Sequence, residues 1–521
     1  GDGVADEKEL LYGGGQAGGN LEHQNSGMTW GIDNWIYTAR TGDQRHRFVG
    51  GKWTSERLYS DNGQWGLAMD DVGRFFLSAA GGEKPAYGFQ QLPHYGKLSL
   101  PGEREPDFEA VYPVVKMVDV QGGLGRVDKV RGGLNRFTGC AGQSIYRGDR
   151  MPADFNGDYI LPEPVGRLVR RAKVTQIDGK YVLSNAYEDS EFIASTDRNF
   201  RPLGSATGPD GCLYIVDMYR GIIQEGNWTR EGSYLRGVID KEGFAKNIGR
   251  GRIYRVVHES TVRDTPPKML DMSSAELVEQ LSHPNGWRRD TAQKLIVLRG
   301  DKSVVPHLQQ LAQEGAEPLG RMHAIWTLDG LGVSTRQTVV SAVDDSDARV
   351  KLAAIRISEP LLADDPELVQ TVSEAGYDDD MAVAVQTINS LRFAKTKEAN
   401  AAISEIAGAY PESDLVMASA QSSLSYREGG GGPTFANFDS AMIAKMQRGY
   451  RSYTMVCIRC HGPDAKGAIS SDGLQLAPSL VGSPRLLGPP EVSARILMHG
   501  LTGPIDGKKY PGVMESMKRQ D

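Results

Sequence analysis

One short unit recurs through the first half of this chain and limits what that half can become. "SGMTWGIDNWIYTA" at 26–39, "QWGLAMDDVGRFFLSAA" at 64–80 and "ATGPDGCLYIVDMYRG" at 206–221 share a plan. A small or apolar entry leads to an Asp or Asp-Gly turn, and a strand rich in Tyr, Phe, Ile or Leu follows. "FNGDYILPEP" at 155–164 is a shorter version. Asp and Gly permit the tight reversal, while aromatic and β-branched residues favour extended backbone. Repetition at this spacing predicts a β-propeller over residues 1–260, ending in the strand "GRGRIYRV" at 249–256. Roughly four blades are visible, fewer than propellers usually have, so the propeller is expected to be partial, with N-terminal blades missing upstream of residue 1.

The rest of the chain has a different period. After "DTPPKML", whose prolines disfavour helix, residues 272–424 become helical in pattern. "SSAELVEQLSHP" opens with an N-cap serine and an acidic first turn. Five segments then align as second members of helix pairs, with Ala292, Ala324, Ala353, Ala384 and Ala418 at matching places. Steps of about thirty residues, with a small side chain where helices approach closely, predict a HEAT-like α-solenoid. "YREGGGGPTF" lies in a Gly-rich linker over 425–436, and 437–521 is left as a third domain. A multidomain chain is what 521 residues lead one to expect. The net charge of −7 lacks the basic footprint of a nucleic-acid partner, and no apolar run of about 18 residues could form a transmembrane segment.

The third domain contains "SYTMVCIRCHGPDAKG" at 452–467. C-x-x-C-H places two thiols to reach two vinyl groups of one porphyrin, and an imidazole beneath its iron. Cys457 and Cys460 would form the thioethers of a covalent haem c, and His461 would be the proximal iron ligand. A redox C-x-x-C would favour a thioredoxin-like setting, which is absent, and a zinc site would need a second ligand pair where only His499 lies nearby. The flanking sequence resembles class I cytochromes c. A helix carrying Gly449 and Tyr450 precedes the motif, "APSLVGSPRLLG" is similar to their loop, "EVSARILMHG" to their middle helix and "YPGVMESM" to the loop bearing the methionine ligand. That resemblance implies Met514 as the second axial ligand, with Met517 as its competitor; Met498 and His499 read as core or loop residues. The closing helix of such a domain would lie beyond residue 521, so the chain is expected to be truncated at both ends.

Taken together, "EFIASTDRNFRPLGSATGPDGCLYIVDMYRG", "GRGRIYRV", the helical repeats and C-x-x-C-H resemble the PVC-type haem-binding CxxCH proteins, also described as membrane-bound dehydrogenases. Their propeller is similar to that of soluble quinoprotein sugar dehydrogenases. The resemblance implies oxidation of a sugar or alcohol with electrons passed to the haem, an implication at the level of fold. Such chemistry needs a base for the hydroxyl proton and cations for the developing alkoxide. His23 in "NLEHQNSGMTW" is a candidate base. Arg201 in "RNFRPLG" and Arg220 in "DMYRG" are candidates to hold anionic groups, and Asp217 could orient Arg220 or bind calcium. Each also reads as an ordinary turn or blade-edge ion pair.

No Rossmann fingerprint points to NAD or FAD, and PQQ leaves no short signature. "GDGVADEKE" places Asp2, Asp6 and Glu9 as a partial EF-type Ca2+ loop or, equally, an acidic solvated turn. Cys140 and Cys212 could pair in an oxidising compartment or be two buried free thiols. The expectation is a periplasmic or otherwise exported haem c redox protein, associated with a membrane, if at all, through a partner or missing terminal segments. It would meet a redox partner protein or small electron acceptor and act as a sugar or alcohol dehydrogenase. The alternative is a non-catalytic electron-transfer and assembly subunit of a larger redox complex, whose propeller and repeats are interaction surfaces.

Overall fold

Each of the three longer recurring units folds as a hairpin whose Asp turn joins the first two strands of a sheet, and the shorter one supplies the second strand of another sheet. The computed structural model describes residues 8, 10, 26–39, 44–49, 52–58, 63–79, 83–112, 124–128, 130 and 132–425 apart from 224, 225 and 263. Towards the C-terminus it describes 457–462, 465–467, 474–510 and scattered single residues, Tyr453 and Met514 among them. The chain divides into two compact units, Gly1–Tyr426 and Arg427–Asp521. None of the described helices is long and apolar enough to cross a membrane.

In the first unit, consecutive strands build four antiparallel sheets. The first holds β1 (Ser26–Trp30), β2 (Ile36–Ala39), β3 (Gln44–Val49) and β4 (Lys52–Arg57); the second holds β5 (Leu67–Met69), β6 (Phe75–Ala79) and β7 (Lys84–Tyr87). The third holds β8 (Ser144–Ile145), β9 (Tyr159–Glu163), β10 (Leu168–Ile177) and β11 (Lys180–Asn185), with β12 (Ile193–Ala194) also pairing with β10. The fourth is β13 (Pro202–Thr207), β14 (Leu213–Asp217) and β15 (Arg252–Val256), with helix α1 (Tyr234–Glu242) inserted before its last strand.

The first strands of successive sheets lie side by side: β1 against β5, β5 against β8, β8 against β13. Glycine makes that approach feasible. Gly142, at φ +55°, donates from its N–H to the Trp65 carbonyl at 2.7 Å and accepts at its own carbonyl from the Ser205 N–H at 2.7 Å. A Cβ there would fall 2.3 Å from the Leu203 carbonyl oxygen. Gly66 meets Gly142 in the same way, with its virtual Cβ 3.1 Å from the Gly142 Cα.

Among the described residues of the first unit, ten helices follow the sheets. They form five successive pairs: α2 (Ser274–Gln280) with α3 (Gly286–Arg299), α4 (Val305–Glu314) with α5 (Pro318–Gly330), α6 (Arg336–Val340) with α7 (Ala348–Ser358), α8 (Pro366–Glu374) with α9 (Met381–Leu391), and α10 (Lys397–Ala409) with α11 (Asp414–Leu424). The expected N-cap is present: the Ser273 side chain accepts from the Glu276 N–H, and Glu276 returns a bond in a capping box. The aligned segments are the second members, and α3, α5, α7, α9 and α11 contact one another in series. Ala292, Ala324, Ala353 and Ala384 are buried where the helices meet, and Ala418 packs against the same core.

Burial differs sharply between the two members of a pair. Ten of thirteen residues in α5 and nine of eleven in α9 are buried, whereas α4 buries only Leu308. A helix apolar on all sides needs neighbours on all sides. The second members have them because the sheets dock on their outer face. The Asn34 side chain donates to the Trp326 carbonyl at 2.8 Å, and Gln293 donates to the Ile32 carbonyl at 2.7 Å. Arg356 pairs with Asp33 at 2.9 Å. Arg147 grips both Asp290 and Asp71, each at 2.7 Å, and Asn285 donates to the Gly208 carbonyl at 3.0 Å. Every one of these groups on the sheet side lies between the first and second strands of a sheet. The sheets and the helical pairs, read from sequence as separate domains at 1–260 and 272–424, therefore share one compact unit.

The seam of glycines yields a test. Gly142→Ala should cost roughly 2–4 kcal/mol, from left-handed backbone plus a clash with a carbonyl that cannot retreat. Gly157→Ala, also at positive φ but with open space around it, should cost only about 1 kcal/mol. Urea unfolding of the two variants measures the difference.

Candidate functional site

The C-x-x-C-H segment forms a helical turn, α12 (Ile458–His461), with Cys457 immediately before it. Cys457 and Cys460 are three residues apart, so they share one side of the turn. Both are unpaired and only partly buried. His461 is buried, and its Nδ1 lies 3.0 Å from the Pro478 carbonyl oxygen. A carbonyl can only accept, so Nδ1 carries the proton and the lone pair rests on Nε2, the state in which an imidazole binds a metal. Neighbouring backbone bonds hold this geometry. The Tyr453 hydroxyl donates to the Gly462 carbonyl at 2.6 Å, Gly467 N–H donates to the His461 carbonyl at 2.8 Å, and Leu480 N–H donates to Ala465 at 2.8 Å.

Two more helices follow, α13 (Pro484–Leu487) and α14 (Pro490–His499), the latter where the middle helix was expected. Neither buries a side chain. Leu487 is 77 % exposed and Val481 61 %, a surface that suits an apolar macrocycle better than water. The N–H of Leu501, just past α14, donates to the Met514 carbonyl at 2.9 Å, which ties the loop carrying this methionine back to the helix; its side chain is half-buried. Met498 and His499 are exposed at the end of α14. Met517 lies outside the described residues, as does most of the helix expected before the motif. Among the described residues, no three or more His, Cys, Asp or Glu side chains gather around a bare-ion site. The residues present, two free thiols beside an imidazole with a fixed Nδ1 proton, fit a haem whose porphyrin brings its own four nitrogens.

The sheet candidates separate. His23 lies outside the described residues, and so do Asp2, Asp6 and Glu9 of the expected calcium loop. Arg201, expected to hold an anionic group, is completely buried. Its guanidinium donates to the carbonyls of Pro164 at 2.8 Å, Val165 at 3.3 Å and Gly221 at 3.0 Å. Asp217, expected to orient Arg220 or bind calcium, accepts from the N–H groups of Arg201 and Tyr219, both at 2.8 Å. Both side chains thus fasten loops at the ends of the fourth sheet. Arg220 is half-buried in the loop after β14. Cys140 and Cys212 are buried and unpaired, so of the two alternatives the free thiols hold. Burial, and then the Glu163 carboxylate beside it, push the Cys140 thiol well above its usual range.

Sequence reasoning missed a different cluster, where the first sheet and a neighbouring loop meet the helices. Glu359, directly after α7, accepts at one carboxylate oxygen from the Tyr95 hydroxyl and from Ser390 Oγ at 2.7 Å. Gln386 donates to the Tyr95 hydroxyl at 2.7 Å and to Ser390 Oγ at 2.9 Å. Burial pushes the Glu359 carboxyl up to about 7, against the pull of those hydrogen bonds and of Arg356 and Arg45. His94 Nε2 lies 3.8 Å from the other carboxylate oxygen; burial and the surrounding arginines hold this imidazole neutral. No motif marks these residues, because they come from distant parts of the chain.

A family model described as "Domain of unknown function (DUF7133)" matches residues 1–260, the span that contains the four sheets. No curated protein matches the chain.

Two outcomes are expected. Arg201→Ala leaves three buried carbonyls without their donor and should cost about 3 kcal/mol in urea unfolding. For Glu359, the folded pKa exceeds the unfolded one, so its contribution to stability is present below about pH 4.5 and is lost as pH rises through about 7. Glu359→Gln should flatten that dependence, gaining up to about 3 kcal/mol relative to the parent between about pH 5 and about pH 8. Unfolding midpoints measured across that range check it.

Proposed function

We propose that this chain is an exported haem c redox protein whose C-terminal unit carries one covalent haem. The observation that carries the reading is the bond between His461 Nδ1 and the Pro478 carbonyl within a C-x-x-C-H sequence. It prepares Nε2 as an iron ligand and holds the ring in place beside two free thiols. Each of Cys457 and Cys460 would add across one vinyl group, sulfur to one carbon and hydrogen to the other. His461 would take one axial position. Met514, on a loop fixed to the end of α14, would take the other through its thioether. Haem bound in this way supplies a one-electron couple. On this reading the four sheets are blades of a partial propeller, the helical pairs are a HEAT-like solenoid, and residues 437–521 are a class I cytochrome c domain. The chain would belong with the PVC-type haem-binding CxxCH proteins.

The first unit would then deliver electrons from oxidation of a sugar or alcohol to that haem, for transfer to a partner protein or small acceptor; PQQ and Ca2+ are the cofactors such a propeller would call for. A second reading, a non-catalytic electron-transfer and assembly subunit of a larger redox complex whose sheets and helices are interaction surfaces, is favoured by the burial of Arg201 and Asp217 against backbone. Neither offers a charge to a substrate.

Expression with export and haem-attachment machinery should give a chain that keeps haem peroxidase stain on a denaturing gel. Cys457→Ser with Cys460→Ser should abolish the stain, and Met514→Ala should retain it while lowering the reduction potential. Pigment that leaves with acidic acetone, or no pigment at all, would refute the reading. Reduction of the α-band by sugars or alcohols, with PQQ and Ca2+ present and absent, separates the dehydrogenase from the carrier.

A further inference from the structure

The fourth sheet ends on an open edge. In the first and third sheets a fourth strand, β4 or β11, lies beyond the third, whereas the order β13-β14-β15 leaves β15 with nothing paired beyond it among the described residues. β15 pairs with β14 in unbroken register, from Arg252 opposite Asp217 to Val256 opposite Leu213. The N–H and C=O groups on its other side meet no backbone partner among the described residues. A free edge of this kind is a template for another strand, and proteins commonly guard it with a proline, a bulge or a covering loop. β15 reads RIYRV, with no proline and no bulge, and Arg252, Ile253, Tyr254 and Arg255 are all exposed.

Both faces of the strand restrict what can join it. On one face Ile253, 68 % exposed, stands opposite Val216 of β14, 42 % exposed, forming an apolar row that stops at the edge. Arg255, on the same face, is drawn back to Asp210 at 3.1 Å, so its charge is matched. On the other face Arg252 lies over the Tyr219 ring at 3.5 Å. Arg252 and Arg250, just before the strand, are exposed and belong to no ion pair among the described residues. Two copies of this chain pairing along β15 would set these arginines against one another, and like charges facing across strands are destabilising. A strand that carries carboxylates would instead neutralise them.

We propose that β15 accepts an extended segment of a partner protein as the next strand of the sheet, acidic on the side that meets Arg252 and apolar on the side that meets Ile253. Successive residues of an added strand point to opposite faces, so the segment that fits alternates acidic with apolar residues. Main-chain hydrogen bonds along the β15 edge supply affinity, and the two rows of side chains supply selectivity. Carboxylates beside Arg252 and Arg250 gain from charge, while an apolar side chain beside Ile253 extends the row begun by Val216. The edge belongs wholly to the first unit, so it stands or falls independently of the haem.

Fluorescence anisotropy of a labelled short peptide that alternates glutamate with valine, titrated with the full chain, tests the proposal. The peptide should bind with a Kd of about 10–100 μM, and its lysine–valine counterpart at least about tenfold more weakly. Methylating every backbone nitrogen of the glutamate peptide removes its main-chain donors and should abolish binding. Arg250→Glu with Arg252→Glu should weaken binding about tenfold or more; Arg250→Glu alone, at a fully exposed site, serves where the double variant does not fold and should weaken it about threefold. Bound peptide should also slow amide exchange within Arg252–Val256 about tenfold or more. No anisotropy change up to about 300 μM chain would overturn the proposal. So would equal binding of the lysine or the methylated peptide, unchanged affinity in the arginine variants, or unprotected β15 amides. None of these readings requires haem, so a failed haem assignment leaves them intact.

Discussion

The organisation of the first unit depends on acidic turns meeting arginines. Asp33 and Asp71 sit between the first and second strands of their sheets, and each meets guanidinium groups carried far along the chain: Arg356 for Asp33, Arg289 for Asp71. Arg147, in the corresponding connection of the third sheet, reaches Asp290 on α3. Burial alone would raise the Asp71 carboxyl, but Arg147 and Arg289 outweigh it and hold the group well below the usual carboxylate range. His323, deeper in the seam, is held neutral with a pKa of about 3, because burial and Arg289 both oppose a further positive charge. Such pairs are weak as sources of net stability, yet removing one partner is costly. Their main effect is to fix which turn docks against which helix.

That docking accounts for the uneven burial of the helices. α5 and α9 are closed in by sheet connections on one side and their paired helices on the other, so polar residues such as Thr327 and Ser390 lie inside and must find partners there. Thr327 turns its hydroxyl to the His323 carbonyl, and Ser390 joins Glu359 and Gln386. The same enclosure leaves a cleft of about 270 Å³ beside Trp35, lined largely by groups already joined in ion pairs.

Much of this was legible in the sequence because it is local. Asp turns followed by aromatic strands, Ala at matching helix positions and a serine with glutamate three residues on are short-range signals, and each corresponds to an element in the structure. C-x-x-C-H is equally local. What the sequence did not reveal depends on separation. Asp33 and Arg356 are 323 positions apart, Arg289 and Asp71 218. Arg201 misled for another reason: arginine is seldom fully buried, so its position near a loop suggested a ligand when three carbonyls had already claimed it. Glu359 and His94 carry no pattern, and only the fold brings them together.

The paired charges along the seam also set how it can come apart. Arg147 is bonded to two acids at once, and Asp71 to two arginines, so no single pair can open and rehydrate while its neighbours stay closed. Peeling the helical layer from the sheets must break these linked contacts nearly together. Under mechanical load or heat the two layers should separate in one abrupt step, leaving no half-detached state for a protease to find.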